Sequence, residues 1–244
     1  MKKRSFFHRL ITCLMAGVVT AALWLLLGRG QANPLFPKSL IFSLVIISLL
    51  IAFILPFIWQ YLINKNSVIG EKLYSWLYLI IRGAVAIDVA IFGAKKVFHM
   101  QFIVPDSVTK LPLKYLDGET LTWYYFGHSF AFICILSFVQ LAGAMLLLFR
   151  KTCLLGAIVL FALLINIVLI DIFYQMNAGA LTQAVVMTLG TAYLILIDYD
   201  RLLVFFFKTH SNLQSVMIKR GIKNFARIAT MLLVLFYILY SANR

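Results

Sequence analysis

Long uninterrupted apolar runs dominate this sequence, and they leave few architectures open to it. They extend from Leu10 to Leu27, Leu40 to Ile63, Trp76 to Ala94, Phe126 to Phe149, Cys153 to Tyr174 and Gly179 to Ile197, with a shorter seventh from Ala226 to Tyr240. A helix of about 20 apolar residues crosses the ~30 Å hydrocarbon core of a bilayer. A soluble fold has no interior large enough for so many runs: 63% of the residues are hydrophobic and 12% charged, against about half and about a quarter in soluble domains. The lipid bilayer is therefore the solvent, and the fold expected is an all-α polytopic membrane helix bundle with about seven transmembrane helices.

The first run follows Lys2, Lys3, Arg4 and Arg9 and ends before Gly30, Gln31 and Ala32, a small-residue pattern like that of a signal-peptide cleavage site. Its apolar stretch is longer than the 7 to 15 residues usual in such peptides, so it is read as an uncleaved first helix. Pro56 falls inside the second run, where it removes one backbone donor and kinks the helix without ending it. Two connections are long. The one from Lys95 to Tyr125 holds Pro105, Pro112, Asp117, Gly118, Trp123 and Tyr124 and is expected to form an ordered cap at the interface. The one from Asp198 to Asn224 begins apolar and ends basic, a pattern that supplies topology determinants and suits a segment lying along the inner leaflet. Three regions follow: residues 1–75 as a two-helix extension, 76–207 as a central four-helix bundle, and 208–244 as a basic segment with a last helix.

The formal charge of +14 would suggest nucleic acid in a soluble protein, but the basic residues cluster in connections, where they set topology. With the N-terminus in the cytoplasm, the inner side receives Lys2, Lys3, Arg4, Arg9, Lys65, Lys72, Arg150, Lys151, Arg201, Lys208, Lys219, Arg220, Lys223 and Arg227. The outer side receives half as many: Arg29, Lys38, Lys95, Lys96, Lys110, Lys114 and Arg244. This bias predicts a cytoplasmic N-terminus and, in a bacterium, the inner membrane. No basic stretch is interleaved with aromatics as base stacking requires, so no nucleic-acid partner is expected. Cys13, Cys134 and Cys153 are widely spaced in or beside apolar runs, form no CxxC pair and read as buried hydrophobes.

An ionisable residue within a membrane helix costs several kcal/mol unless it is paired or reaches water. The third run carries two. Arg82 and Asp88, six residues apart, project about 120° apart around the helix and about 9 Å apart along it, so they are not simple partners. Lys96 sits at the outer interface, where its stem can snorkel. Gln140 and Asn166 lie near the middles of the fourth and fifth runs, and Asp171 lies further outward, at a depth where Lys95 or Lys96 can pair with it. Arg82, Asp88, Lys96, Gln140, Asn166 and Asp171 are the candidate ligand-binding residues of an interior pocket. His99 and His128 read as interfacial histidines, and no metal site is assigned to them. There is no phosphate loop, GxSxG elbow or HExxH, so a self-sufficient hydrolase or nucleotide enzyme is not expected.

From Ile80 to Phe207 the sequence resembles the DoxX-like integral membrane proteins, small four-helix bundles. The likeness rests on Arg82 followed by a G-x-x-K pattern at Gly93-Ala94-Lys95-Lys96, then Gln101-Phe102-Ile103-Val104-Pro105. It continues with Trp123, Gly127 and Ser129 as W-x-x-x-G-x-S, Leu155-Gly156, and Asn166-Ile167-Val168 where relatives have N-V-V. Two positions depart: Gln140 stands where many relatives have Glu, and Asp171 where they have Asn. The resemblance implies a membrane subunit or accessory of a redox assembly, with a quinone as candidate cofactor and membrane or periplasmic proteins as partners. An amide cannot titrate, so a proton-handling role at Gln140 does not carry over. Two alternatives use the same residues: a small-molecule or lipid transporter, with Arg82 binding an anion and Asp88 coupling a proton, or a structural subunit in which buried polar groups fix helix register.

Overall fold

The computed structural model describes residues 5–28, 36–65, 67–104, 112–209 and 220–242. The small-residue pattern at Gly30-Gln31-Ala32, and Pro105 with Lys110 of the long connection, lie outside them. The described residues are almost entirely helical. The long helices are α1 (Phe6–Gly28), α2 (Lys38–Lys65) and α3 (Ser67–Val97). A short α4 (Gly118–Gly127) precedes α5 (Phe130–Leu148), α6 (Cys153–Phe173) and α7 (Ala178–Ile197). Six of these, α1 to α3 and α5 to α7, are long and apolar enough to cross a membrane. This is a helical membrane bundle.

Two boundaries differ from those expected. The third helix starts at Ser67 rather than Trp76, because the polar stretch Gly70-Glu71-Lys72 continues the helix beyond its apolar part. The fourth run does not begin at Phe126: α4 ends at Gly127, and α5 starts anew behind Ser129, whose side chain accepts from the Phe132 N–H at 3.4 Å. Asp117 caps α4 in the same way, accepting from the Thr120 N–H at 3.3 Å. A short polar N-cap residue satisfies one of the first N–H groups, which have no partner inside the helix. The Gly127-His128-Ser129 triplet is thus a helix break flanked by apolar sequence.

Residues 1–199 form one packed unit. Within it α3, α5, α6 and α7 close a ring, each packed on the next, with α7 returning to α3. α1 braces α3 and α7, and α2 packs on α1 and α3. Pro56 lies within α2, which continues through it. Between helices in lipid, close backbone approach replaces hydrophobic driving force, so small residues mark the contacts. At the loop joining α5 to α6, a Cβ placed on Gly156 would lie 2.9 Å from the Gly143 carbonyl oxygen, and one on Gly143 would lie 2.6 Å from the Leu160 side chain. The hairpin is therefore tight at that end. Buried Val19, Ile81, Val85, Leu147, Leu160 and Leu194 fill the bundle there, and Thr12 Oγ1 shares a 2.6 Å hydrogen bond with Tyr193 Oη across α1 and α7.

The remaining unit, residues 200–244, contains most of a short helix α8 (Tyr199–Leu203), a π-turn at Val204–Lys208 and a helix α9 (Arg220–Ala242). The seventh apolar run lies within α9. Phe205, Phe206 and Phe207 are each more than 60% exposed, which fits a segment that meets lipid.

Candidate functional site

The helix ring separates toward its α4 end and encloses a chamber of about 900 Å³, within the roughly 300–1,000 Å³ typical of small-molecule sites. α3 contributes Asp88, Phe92, Lys95 and Lys96; α5 contributes Phe132, Leu136 and Gln140; α6 contributes Leu163, Asn166, Ile170 and Asp171; α7 contributes Gln183 and Met187. α4 lies across this end and adds Thr122, Trp123 and Phe126.

Close backbone contact holds α4 in place. A Cβ on Gly118 would lie 2.8 Å from the Tyr174 carbonyl carbon at the end of α6. Asn177, the N-cap of α7, donates from Nδ2 to Glu119 Oε1 at 3.4 Å while accepting from the Ala180 N–H at 2.9 Å. Phe102, at a positive φ of 63°, stacks on Phe126 with centroids 5.0 Å apart and meets Trp123 edge-on at 5.7 Å. The described part of the long connection is thus an ordered aromatic cap.

Five of the six candidate residues line this one chamber. Lys96, 8% exposed, does not snorkel: its ammonium donates to Gln140 Oε1 at 2.6 Å. The reason is local, since Gly93, one turn earlier on α3, lets the helix close on Gln140 and Leu141. Asp88 is fully buried; its Oδ2 accepts from Gln183 Nε2, which also donates to the Ala22 carbonyl at 3.2 Å, and its Oδ1 is buried without a hydrogen-bond partner among the described residues. Asp171 is 5% exposed, and among the described residues its carboxylate has no hydrogen bond and no ion pair within 4.0 Å. The expected pairing with Lys95 or Lys96 is absent because Lys96 is committed to Gln140 and Lys95 lies over the Phe92 ring, 5.7 Å from its centroid. Asn166 lines the chamber but is exposed.

Arg82 lies outside the chamber. It is buried, 5.6 Å from the Tyr78 ring centroid, and its Nη1 has no hydrogen-bond partner among the described residues. Tyr78 in turn donates to Cys153 Sγ at 3.2 Å. Arg82 and Asp88 therefore do not share a ligand chamber. His99 stacks on Phe130 at 4.2 Å.

Two further side chains that line the chamber are not among the six candidate ligand-binding residues. Gln183, an amide in an apolar run, carries the same signal as Gln140. Trp123 reads in sequence as an interfacial aromatic, but it lines the chamber and its indole Nε1 is buried with no hydrogen-bond partner among the described residues. Buried polar atoms are almost always hydrogen-bonded; the Trp123 donor and the Asp88 acceptor are themselves buried, but both belong to residues that line the chamber, so a ligand offering both functions would satisfy them once neighbouring side chains shift. The formal charges of Lys95 and Lys96 balance those of Asp88 and Asp171, leaving no excess to demand an ionic ligand.

No family model matches the sequence, and no solved structure matches it. The chain is similar to the Uncharacterized protein YwoB of Bacillus subtilis (strain 168), 25% identical over 121 residues, which cover 50% of this chain and 77% of that protein.

Proposed function

We propose that this integral membrane protein holds an uncharged amphipathic ligand of the isoprenoid-quinone class in its chamber, as the membrane subunit of a redox assembly. The observation that carries this reading is the pair of unsatisfied buried atoms, Trp123 Nε1 and Asp88 Oδ1, on residues that line a largely apolar chamber together with Lys96. A quinone ring presents carbonyl oxygens that accept from Trp123 and Lys96. Its reduced form presents hydroxyls that donate to Asp88 or Asp171. The walls from Phe92, Leu136, Leu163 and Met187 accommodate an apolar body. The DoxX-like resemblance of residues 80–207 supports the same class, and in such an assembly the electrons are supplied by a membrane or periplasmic partner. The charge bias favours the bacterial inner membrane with a cytoplasmic N-terminus.

The test is to purify the full chain in mild detergent, extract it with organic solvent and quantify quinone per chain. Near-stoichiometric quinone is expected, lost from Lys96→Ala and depleted in Trp123→Phe. A wild-type chain that neither retains quinone nor binds it when it is added back overturns the reading.

A further inference from the structure

The chamber's walls are closed on most sides. At the far end the α5–α6 hairpin is sealed by Gly143, Gly156 and Leu160. α3 meets α5 closely at Gly93, and α7 is tied to α1 and α3 through Gln183. At the near end α4 is seated on the Tyr174 backbone, with the Phe102, Trp123 and Phe126 rings packed beneath it. One further side is the seam between α5 and α6 on the α4 side of their tight contact. Phe132 of α5, and Ala162 and Asn166 of α6, line the chamber there and are exposed, as are Tyr125 and Asn177 at the capped end. Two helices joined by a short loop, touching closely at the loop end and separated beyond it, form a V whose mouth opens sideways.

Whatever part of that exposed surface on membrane-spanning α5 and α6 looks away from the chamber faces acyl chains, where an unpaired amide is costly. Asn166 nonetheless sits there with no side-chain hydrogen bond among the described residues. A small residue, Ala162, stands one turn away on the same helix face and leaves the mouth unobstructed. From this geometry we infer that the ligand reaches the chamber laterally from the bilayer, passing between α5 and α6 with Asn166 receiving its polar head at the mouth. The inference rests on the binding reading above and adds the route and the residue that serves it. It also narrows the ligand: a molecule that travels this path partitions into lipid and carries a compact, uncharged, hydrogen-bonding head.

The experiment measures uptake and release of a tritiated ubiquinone with two isoprene units by the full chain in lipid nanodiscs. Cys13, Cys134 and Cys153 are changed to Ala, and Leu136→Cys and Ile167→Cys are introduced on the facing helices. The same preparation is measured before closure with a cleavable bis-maleimide, while closed, and after cleavage. The expected result is saturable binding whose exchange slows at least tenfold when the mouth is bridged and recovers on cleavage, with Ala162→Trp slowing exchange in the same direction. Asn166→Leu should weaken or slow binding about fivefold, the equivalent of about one hydrogen bond between membrane helices, without lowering thermal stability. Saturable binding with exchange indifferent to both the bridge and Ala162→Trp overturns the lateral route and leaves the chamber reading standing. No saturable binding before bridging overturns the chamber reading and the route with it.

Discussion

Lys96 and Gln140 define the chamber at the residue scale. A buried ammonium whose one acceptor among the described residues is a side-chain amide depends on that amide. Gln140→Leu should therefore cost about 3–5 kcal/mol, the range found when a buried charge loses its partner, read as a fall in unfolding temperature in mild detergent. Gln140→Glu supplies a carboxylate in place of the amide and should fold without that loss, and a melt as poor as that of the Leu variant would count against the contact. Trp123→Phe removes an unsatisfied N–H together with part of the indole's packing against Phe102, so stability should fall by no more than about 2 kcal/mol while quinone retention falls. One physical rule makes most of these residues legible in sequence: a polar side chain inside an apolar run must face protein. That rule does not say which interior. Arg82 obeys it and packs by Tyr78 and Cys153, outside the chamber, whereas Asp88, six residues on, lines the chamber. Trp123 escapes the rule altogether, because an aromatic at a membrane interface needs no buried partner, and only the fold of α4 exposes its unsatisfied nitrogen.

The tight end of the α5–α6 hairpin determines the open end at the scale of elements. Gly156→Val places side-chain atoms where the Gly143 carbonyl already sits and should cost about 1–3 kcal/mol, as overpacking does, measured by thermal unfolding. The same change should loosen ligand retention, since the two walls of the chamber pivot on this contact. A variant with wild-type stability and retention would show that the hairpin contact is dispensable. Helices were readable wherever the apolar run and the helix coincide, as in α6 and α7. They were misread where polarity and helicity part company: α3 continues through Gly70-Glu71-Lys72, and the apolar stretch around Gly127 is interrupted by a cap at Ser129. Local backbone chemistry decides such boundaries, and a hydropathy profile does not register it.

For the whole molecule, the described residues include six helices suited to crossing a membrane; four of them, α3 and α5 to α7, frame the chamber, and α1 with α2 packs onto that ring rather than standing apart from it. Composition alone made the membrane legible, because no soluble interior holds this much apolar sequence. The chamber was not legible, because it arises from how far the helices separate, and that depends on glycines whose partners are distant in sequence. In the orientation we propose from the charge bias, the α1 N-terminus and the α5–α6 loop are cytoplasmic and α4 is outside, so reporter fusions after Asn64 and after Lys151 should read cytoplasmic and a fusion after Lys114 external; the reverse pattern would overturn the orientation. The central claim is most directly tested by an experimental structure of the full chain in nanodiscs with saturating ubiquinone. The expected result is density in the chamber with a ring oxygen within about 3.2 Å of Trp123 Nε1 or Lys96 Nζ. A chamber left empty at saturation, or filled by its own side chains, would contradict it.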